Sequence, residues 1–262
     1  MAEIQIVETS LRDGNQCLWG ALGIDTPRTL TIAPVMDRVG FRAIDFTTST
    51  HMGVAVRYKR EDPWERIRLT ADAVRRTPLQ FMSTGFRFIS WETASPEFMS
   101  LVFRVLARSG IRRFCLADPM NDADSNLACA RMVKDVGGES VIVALVYTMS
   151  PIHDDAYFVE RARRLASSPD VDALYIKDPG GLLTPASARA DPPDPGGAGG
   201  QTPRAAFALH HRSRRAYLHG RRRLRHHGAA VRLGGGGGRD LESALGPRRS
   251  QPSRPRTHGT AR

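Results

Sequence analysis

Short apolar runs recur along the first 190 residues at fairly even intervals. Strands are expected near Ile4–Val7, Ala43–Phe46, Leu79–Met82, Phe114–Leu116, Val141–Val146 and Ala173–Ile176. Between most of these runs the apolar positions change to helical spacing. After Pro63, residues Trp64, Ile67, Ala71 and Val74 fall near one helical face. Ser95-Pro96-Glu97 has the form of a helix start, with Ser95 as N-cap and Pro96 in the first turn. Phe98, Leu101, Val102, Val105 and Leu106 then follow the i, i+3, i+4, i+7, i+8 stripe of an amphipathic helix. Phe158, Ala162 and Leu165 continue the theme before the sixth strand.

The run Val141 to Val146 does not alternate, as expected of a parallel strand covered on both faces. Repeated strand–helix units with such strands imply an α/β fold. Six units in about 190 residues keep the pace of a (β/α)8 barrel, which typically takes ~250 residues. A doubly wound sheet is the alternative on periodicity. Its dinucleotide-binding version has no support, because no G-x-G-x-x-G follows the first strand. The expected fold is therefore α/β, of (β/α)8 TIM-barrel type, incomplete at about six β/α units.

Charge divides the chain. Residues 191–262 hold fifteen arginines, no lysine and four acidic residues, a balance of +11 that equals the formal net charge of the whole chain. The first 190 residues are balanced. The 191–262 stretch contains Gly234 to Gly238, no Ile, one Val and one Phe, and as a whole offers little apolar surface to offset its ordering entropy. It is expected to be a disordered basic tail in which the barrel pattern does not continue. Out-of-frame translation of a GC-rich gene is a second origin for such a composition, and the abrupt break inside the helical pattern near Arg189 favours it. The arginines would bind polyanions non-specifically, by counterion release. Three cysteines, odd in number and widely spaced, argue against a disulfide framework and for a reducing, cytoplasmic setting. No signal peptide or membrane span is expected.

In a barrel the active site lies at the C-terminal ends of the strands. Three segments fall there: Glu8 to Gln16, Asp118-Pro119-Met120-Asn121-Asp122, and Lys177-Asp178-Pro179-Gly180-Gly181. Asp13 is a candidate hard-oxygen metal ligand, or a loop carboxylate paired with Arg12. Lys177 would sit in a partly desolvated mouth, where burial lowers the pKa of an amine, or else would pair with Asp178.

Together these segments resemble the carboxyltransferase domain of biotin-dependent enzymes, the pyruvate carboxylase and oxaloacetate decarboxylase alpha-subunit type, within the hydroxymethylglutaryl-CoA lyase-like barrels. The resemblance covers about residues 3–189. It is carried by Thr9 to Gln16, by Arg57 with Glu61 to Arg66, by Asp118 to Asp122, by Tyr147 to His153 and by Ile176 to Pro185. It implies a divalent metal of zinc, manganese or cobalt type held by Asp13 and by a carbamylated Lys177, which would act as the catalytic lysine. It implies a small keto-acid substrate contacted by Gln16 and Arg12, and biotin as the carboxyl carrier on a separate carrier protein. A homo-oligomer stays open.

Two departures stand out. Thr84 occupies the position of the family's substrate-carboxylate arginine, and the His-x-His pair expected on strand seven is missing from the sequence. Impaired turnover is therefore expected. The alternatives are an acyl-CoA lyase or synthase of the same superfamily, against which Lys177 argues, and a non-catalytic barrel fragment with a polyanion-binding tail.

Overall fold

The computed structural model describes residues 5–88, 92–183 and 204–209. Each apolar run forms a strand, and each strand lies beside the next. The strands are β1 (Val7–Glu8), β2 (Ala43–Thr48), β3 (Leu79–Ser83), β4 (Ile111–Leu116), β5 (Ser140–Val146), β6 (Ala173–Asp178) and β7 (Arg204–Leu209). They form one parallel sheet in the order β1-β2-β3-β4-β5-β6-β7. This order never reverses. It is the order of a barrel, whereas a doubly wound sheet turns back at a switch point. Among the described residues β7 does not close on β1, so the sheet is part of a (β/α)8 barrel.

The helices are α1 (Asn15–Trp19), α2 (Thr26–Met36), α3 (Ser49–Val54), α4 (Pro63–Ala73), α5 (Pro96–Arg108), α6 (Ala123–Asp135) and α7 (Asp155–Ala166). Two π-helical turns, Ser10–Gly14 and Ala55–Lys59, follow β1 and α3. Ser95 caps α5 as expected, its Oγ accepting from the Phe98 N–H at 3.3 Å. Asp62, Asp122 and Asp154 cap α4, α6 and α7 in the same way.

The sheet has two unlike faces. Ile44, Phe46, Leu79, Phe81, Phe114, Leu116, Val141, Val143 and Leu145 belong to the main core, together with Met99, Val102, Phe103, Leu106, Cys129 and Val133 from the helices. Met82, Cys115, Ala117 and Ala144 form a small second cluster, with Tyr175 against it. Gln80 and Arg113, also buried, are joined by an Nε···Oε1 bond of 2.8 Å. Because side chains alternate along a strand, the even-spaced set Asp45, Gln80, Met82, Arg113, Cys115, Tyr175 and Lys177 falls on the interior side.

Three expectations are corrected. The stripe on α5 is rotated: Met99, Val102, Phe103 and Leu106 are buried, while Phe98 and Leu101 are largely exposed. Phe103 meets the Phe114 ring edge-on at 5.9 Å, so contact with β4 sets the buried face. Of the first expected strand, Ile4–Val7, Ile4 lies outside the described residues, and the strand runs Val7–Glu8. A seventh strand lies within residues 191–262, where no strand was expected. Ala205 to Leu209 is a five-residue apolar run, long enough for a strand but hidden when composition is averaged over the whole stretch. The expected disorder of the remainder lies outside the described residues. No described helix is long and apolar enough to cross a membrane, and the cysteines form no disulfide among the described residues.

Candidate active site

Arg12 sits in the π-helical turn that follows β1. Its Nε and Nη2 both approach Asp45 Oδ2 at 2.6 Å, and its Nη1 donates to Asp13 Oδ1 at 3.0 Å. Arg12 and Asp45 are buried, whereas Asp13 keeps 29% of its side chain exposed. The guanidinium is thus fixed by a carboxylate from β2 and steadied by its own neighbour. Such charge-assisted bonds are the strong kind. The Asp13–Arg12 pair allowed by the sequence is therefore formed, without closing Asp13 off from solvent.

Lys177 lies on β6 with its amine on the same interior side. It is half-buried, and its Nζ has the Met82 thioether at 3.4 Å as its hydrogen-bonding partner. Burial and the nearby Arg12 hold its ammonium below the ordinary lysine range, against the opposing influence of Cys115, Asp13 and Asp45. The alternative pairing with Asp178 is not formed. Successive strand residues point to opposite faces, and Asp178 instead accepts the Leu182 and Leu183 N–H groups, each at 2.9 Å. Asp178 therefore shapes the Pro179-Gly180-Gly181 loop rather than the cavity.

Gln16 is exposed on α1, at the same strand end as Asp13. Asp118 accepts the Met120 and Asp122 N–H groups and lies 3.6 Å from Arg87 Nη1. Asn121, beside it, exchanges two hydrogen bonds with the Val146 backbone and ties the β4 loop to the end of β5. Glu61 accepts twice from Thr26, and Arg66 donates to Ile24 O and Thr29 Oγ1. These motif residues are scaffolding.

Three further residues near Arg12 give no site signal in the sequence. Asp45 was read only as part of a strand, although a carboxylate inside an apolar run needs a cationic partner. His51 opens α3, with Nδ1 on Thr48 Oγ1 at 3.0 Å. Burial, then Arg12 and Arg66, press its pKa down to about 4, so it is neutral. Cys115 is a neutral thiol, pushed up to about 12 by burial. Asp45 Oδ1, His51 Nε2 and Glu8 Oε2 are buried without hydrogen-bond partners among the described residues. Unsatisfied buried groups of this kind are rare and costly; these three come from β1, β2 and the helix that follows β2, and Asn126 and Arg161 carry others on α6 and α7.

A metal fits this donor set in part. Asp13 offers a partly exposed carboxylate, and Lys177 an amine that carbon dioxide would convert to an oxygen donor. Among the described residues no three His, Cys, Asp or Glu side chains converge.

No family model matches the chain. It is 34% identical over 182 residues to a pyruvate carboxylase subunit from Methanocaldococcus jannaschii, a match covering 70% of this chain and 32% of that protein. It is 31% identical over 183 residues to the 2-oxoglutarate carboxylase large subunit of Hydrogenobacter thermophilus, covering 70% of this chain and 28% of that one. The carboxyl transferase domain of Rhizobium etli pyruvate carboxylase, solved with pyruvate and biocytin, superposes with a TM-score of 0.67 at 22% identity. That match covers 72% of this chain and 32% of the other, and at this identity it speaks for the fold. The chain thus spans about a third of the length of these relatives. Over some 70% of its length, the chain is similar in sequence to subunits of pyruvate carboxylase and 2-oxoglutarate carboxylase, and in fold to the carboxyl transferase domain of a pyruvate carboxylase.

Proposed function

We propose that this chain is a carboxyltransferase-type domain that moves a carboxyl group between biotin on a separate carrier protein and a small 2-oxo acid, with a divalent metal held by Asp13 and carbamylated Lys177. The observation that carries this reading is the placement of Lys177 on the interior side of the sheet. Its amine is partly desolvated, has only a thioether as hydrogen-bonding partner among the described residues and lies near Asp13. Carbon dioxide adds to the neutral amine and releases a proton, and burial favours that neutral form. The names of the relatives support an oxo-acid substrate, and the biocytin complex of the structural neighbour supports biotin as carrier.

When bound, a metal of this kind polarises the oxo group and acidifies the neighbouring C–H. The remaining work belongs to the protein. Arg12, fixed by Asp45, presents a rigid positive charge toward the acid. Gln16, at the open strand end, donates to the substrate. Asp45 sets the direction in which the guanidinium points.

Turnover by this chain is expected to be weak. The sequence holds no His-x-His pair, and the histidines that follow Leu209 in sequence, His210 and His211, are adjacent. The test is metal retention by the full chain after loading with Mn²⁺ or Zn²⁺ in bicarbonate buffer and desalting. We expect weak binding that Asp13→Asn and Lys177→Arg each reduce at least tenfold. Equal retention in both variants would refute the assignment. Brisk biotin-dependent decarboxylation of oxaloacetate would refute the impairment.

A further inference from the structure

A cavity of about 480 Å³ opens at the C-terminal ends of β2 and β3. Its walls come from α3, the π-helical turn after it, the start of α4 and the turn after β3. Met52, Val56, Trp64 and Phe88 line it with apolar surface, and Arg57 and Arg87 supply its cations. The volume is within the ~300–1,000 Å³ range of small-molecule sites. The cavity abuts the Arg12 site through α3: His51 is close enough to feel the charge of Arg12, and the next residue, Met52, lines the cavity.

The two arginines are available to a ligand. Arg57 is exposed and makes no ion pair or hydrogen bond among the described residues. Arg87 is folded back over Thr84 by a turn in which its N–H donates to Thr84 O at 3.2 Å, with Gly85 at φ 61°. A side chain at position 85 would be strained. Arg87 and Thr84 both line the cavity, so Arg87 brings a cation to a wall on which Thr84 is neutral. Its approach to Asp118 is 3.6 Å with 35% of the side chain exposed, too long to occupy its donors fully.

We propose that this cavity selects the acceptor acid: a 2-oxo acid with an apolar chain longer than the methyl of pyruvate, its carboxylate paired with Arg57 and Arg87. The inference rests on the carboxyl-transfer reading for the word acceptor, but the binding it predicts does not. Two cations over a mostly apolar wall, to which Ser49, Thr50, Tyr58 and Thr84 add hydroxyl groups, suit an anionic head on a hydrocarbon body, and pyruvate would leave most of the apolar part wet. Each methylene moved from water to such a wall strengthens binding roughly fourfold. Loss of a charge-assisted contact weakens it about tenfold or more.

The test is isothermal titration of the full chain, without metal or biotin, with 4-methyl-2-oxopentanoate, with its amide and with pyruvate. The longer acid is expected to bind at least tenfold more tightly than pyruvate, and the amide at least tenfold more weakly than the acid. Arg57→Gln and Arg87→Gln should each show a similar loss, while their circular dichroism stays that of the parent. Both side chains reach solvent, so folding should be retained. Should either variant fail to fold, the comparison of the three probes on the parent chain decides the matter alone. Equal binding of pyruvate and the longer acid, no binding of either, or unchanged affinity in both folded variants would overturn the proposal. Metal retention through Asp13 and Lys177 is a separate readout. Acid selection without metal retention leaves the cavity standing and sinks the carboxyl-transfer reading; metal retention without acid selection does the reverse.

Discussion

His51 is a neutral histidine held between two buried arginines. Its pKa is pressed to about 4, by burial first and then by Arg12 and Arg66, against ~6.5 in an unfolded chain. The unfolded chain takes up the proton near pH 6.5, and the folded chain resists until about pH 4. The associated stability is present in full above pH 6.5 and is lost as pH falls toward 4, about 3 kcal/mol in all. Urea unfolding across this range should show a flatter pH dependence for His51→Gln than for the parent. Parallel curves would refute the role. Little of this was legible in the sequence. His51 gave no signal there, and Asp45 was hidden in an apolar run. Their meaning comes from Arg12, which reaches across more than thirty positions to Asp45. The roles given to Arg12, Asp13 and Lys177 come with the family resemblance, and only their position at strand ends was readable from periodicity. Which carboxylate Arg12 would choose was not.

At the scale of elements, the start of α5 was the best-read feature. Ser95 followed by Pro96 predicts a cap from local chemistry alone, since a serine oxygen satisfies an N–H that the helix leaves open. The cap forms as read. Ser95→Ala should lower stability by about 1 kcal/mol, measured as a shift in the urea midpoint at unchanged slope, and a shift within error would show the cap to be idle. The buried face of the same helix was misread by one position. A stripe containing Phe98, Leu101, Val102, Val105 and Leu106 and one containing Met99, Val102, Phe103 and Leu106 are both acceptable helical spacings. Choosing between them needs the partner surface, and Phe114 on β4 makes the choice. The loop motifs show a similar limit. Asp118, Asn121 and Asp178 sit at strand ends, where catalytic residues are expected, yet their polar atoms bond backbone groups, with Arg87 as an additional neighbour of Asp118.

At the scale of the whole molecule, the sheet has two free edges among the described residues, at β1 and β7. Unpaired N–H and C=O groups on such edges invite pairing with other chains. Ile6, directly before β1, is 55% exposed and adds an apolar contact beside that edge. The chain is expected to self-associate as concentration rises, and Ile6→Lys to raise the monomer fraction in light scattering coupled to size exclusion. A sharply monomeric parent chain would contradict this. The basic stretch contributes at the same scale. Its fifteen arginines carry the net charge, so association with polyanions should fall steeply with salt, whatever the barrel does.

The order of strands and helices, the Ser95 cap and the positions of the strand ends were determined by the sequence alone. Each depends on spacing or on groups a few residues apart. The face that α5 buries, the seventh strand, the bond from Arg12 to Asp45, the parting of Lys177 from Asp178 and the turn that sets Arg87 beside Thr84 were decided only by the tertiary structure. Each of these depends on which partner a side chain or backbone meets across the fold. Local energies leave several such partners nearly equal, and packing against distant strands separates them.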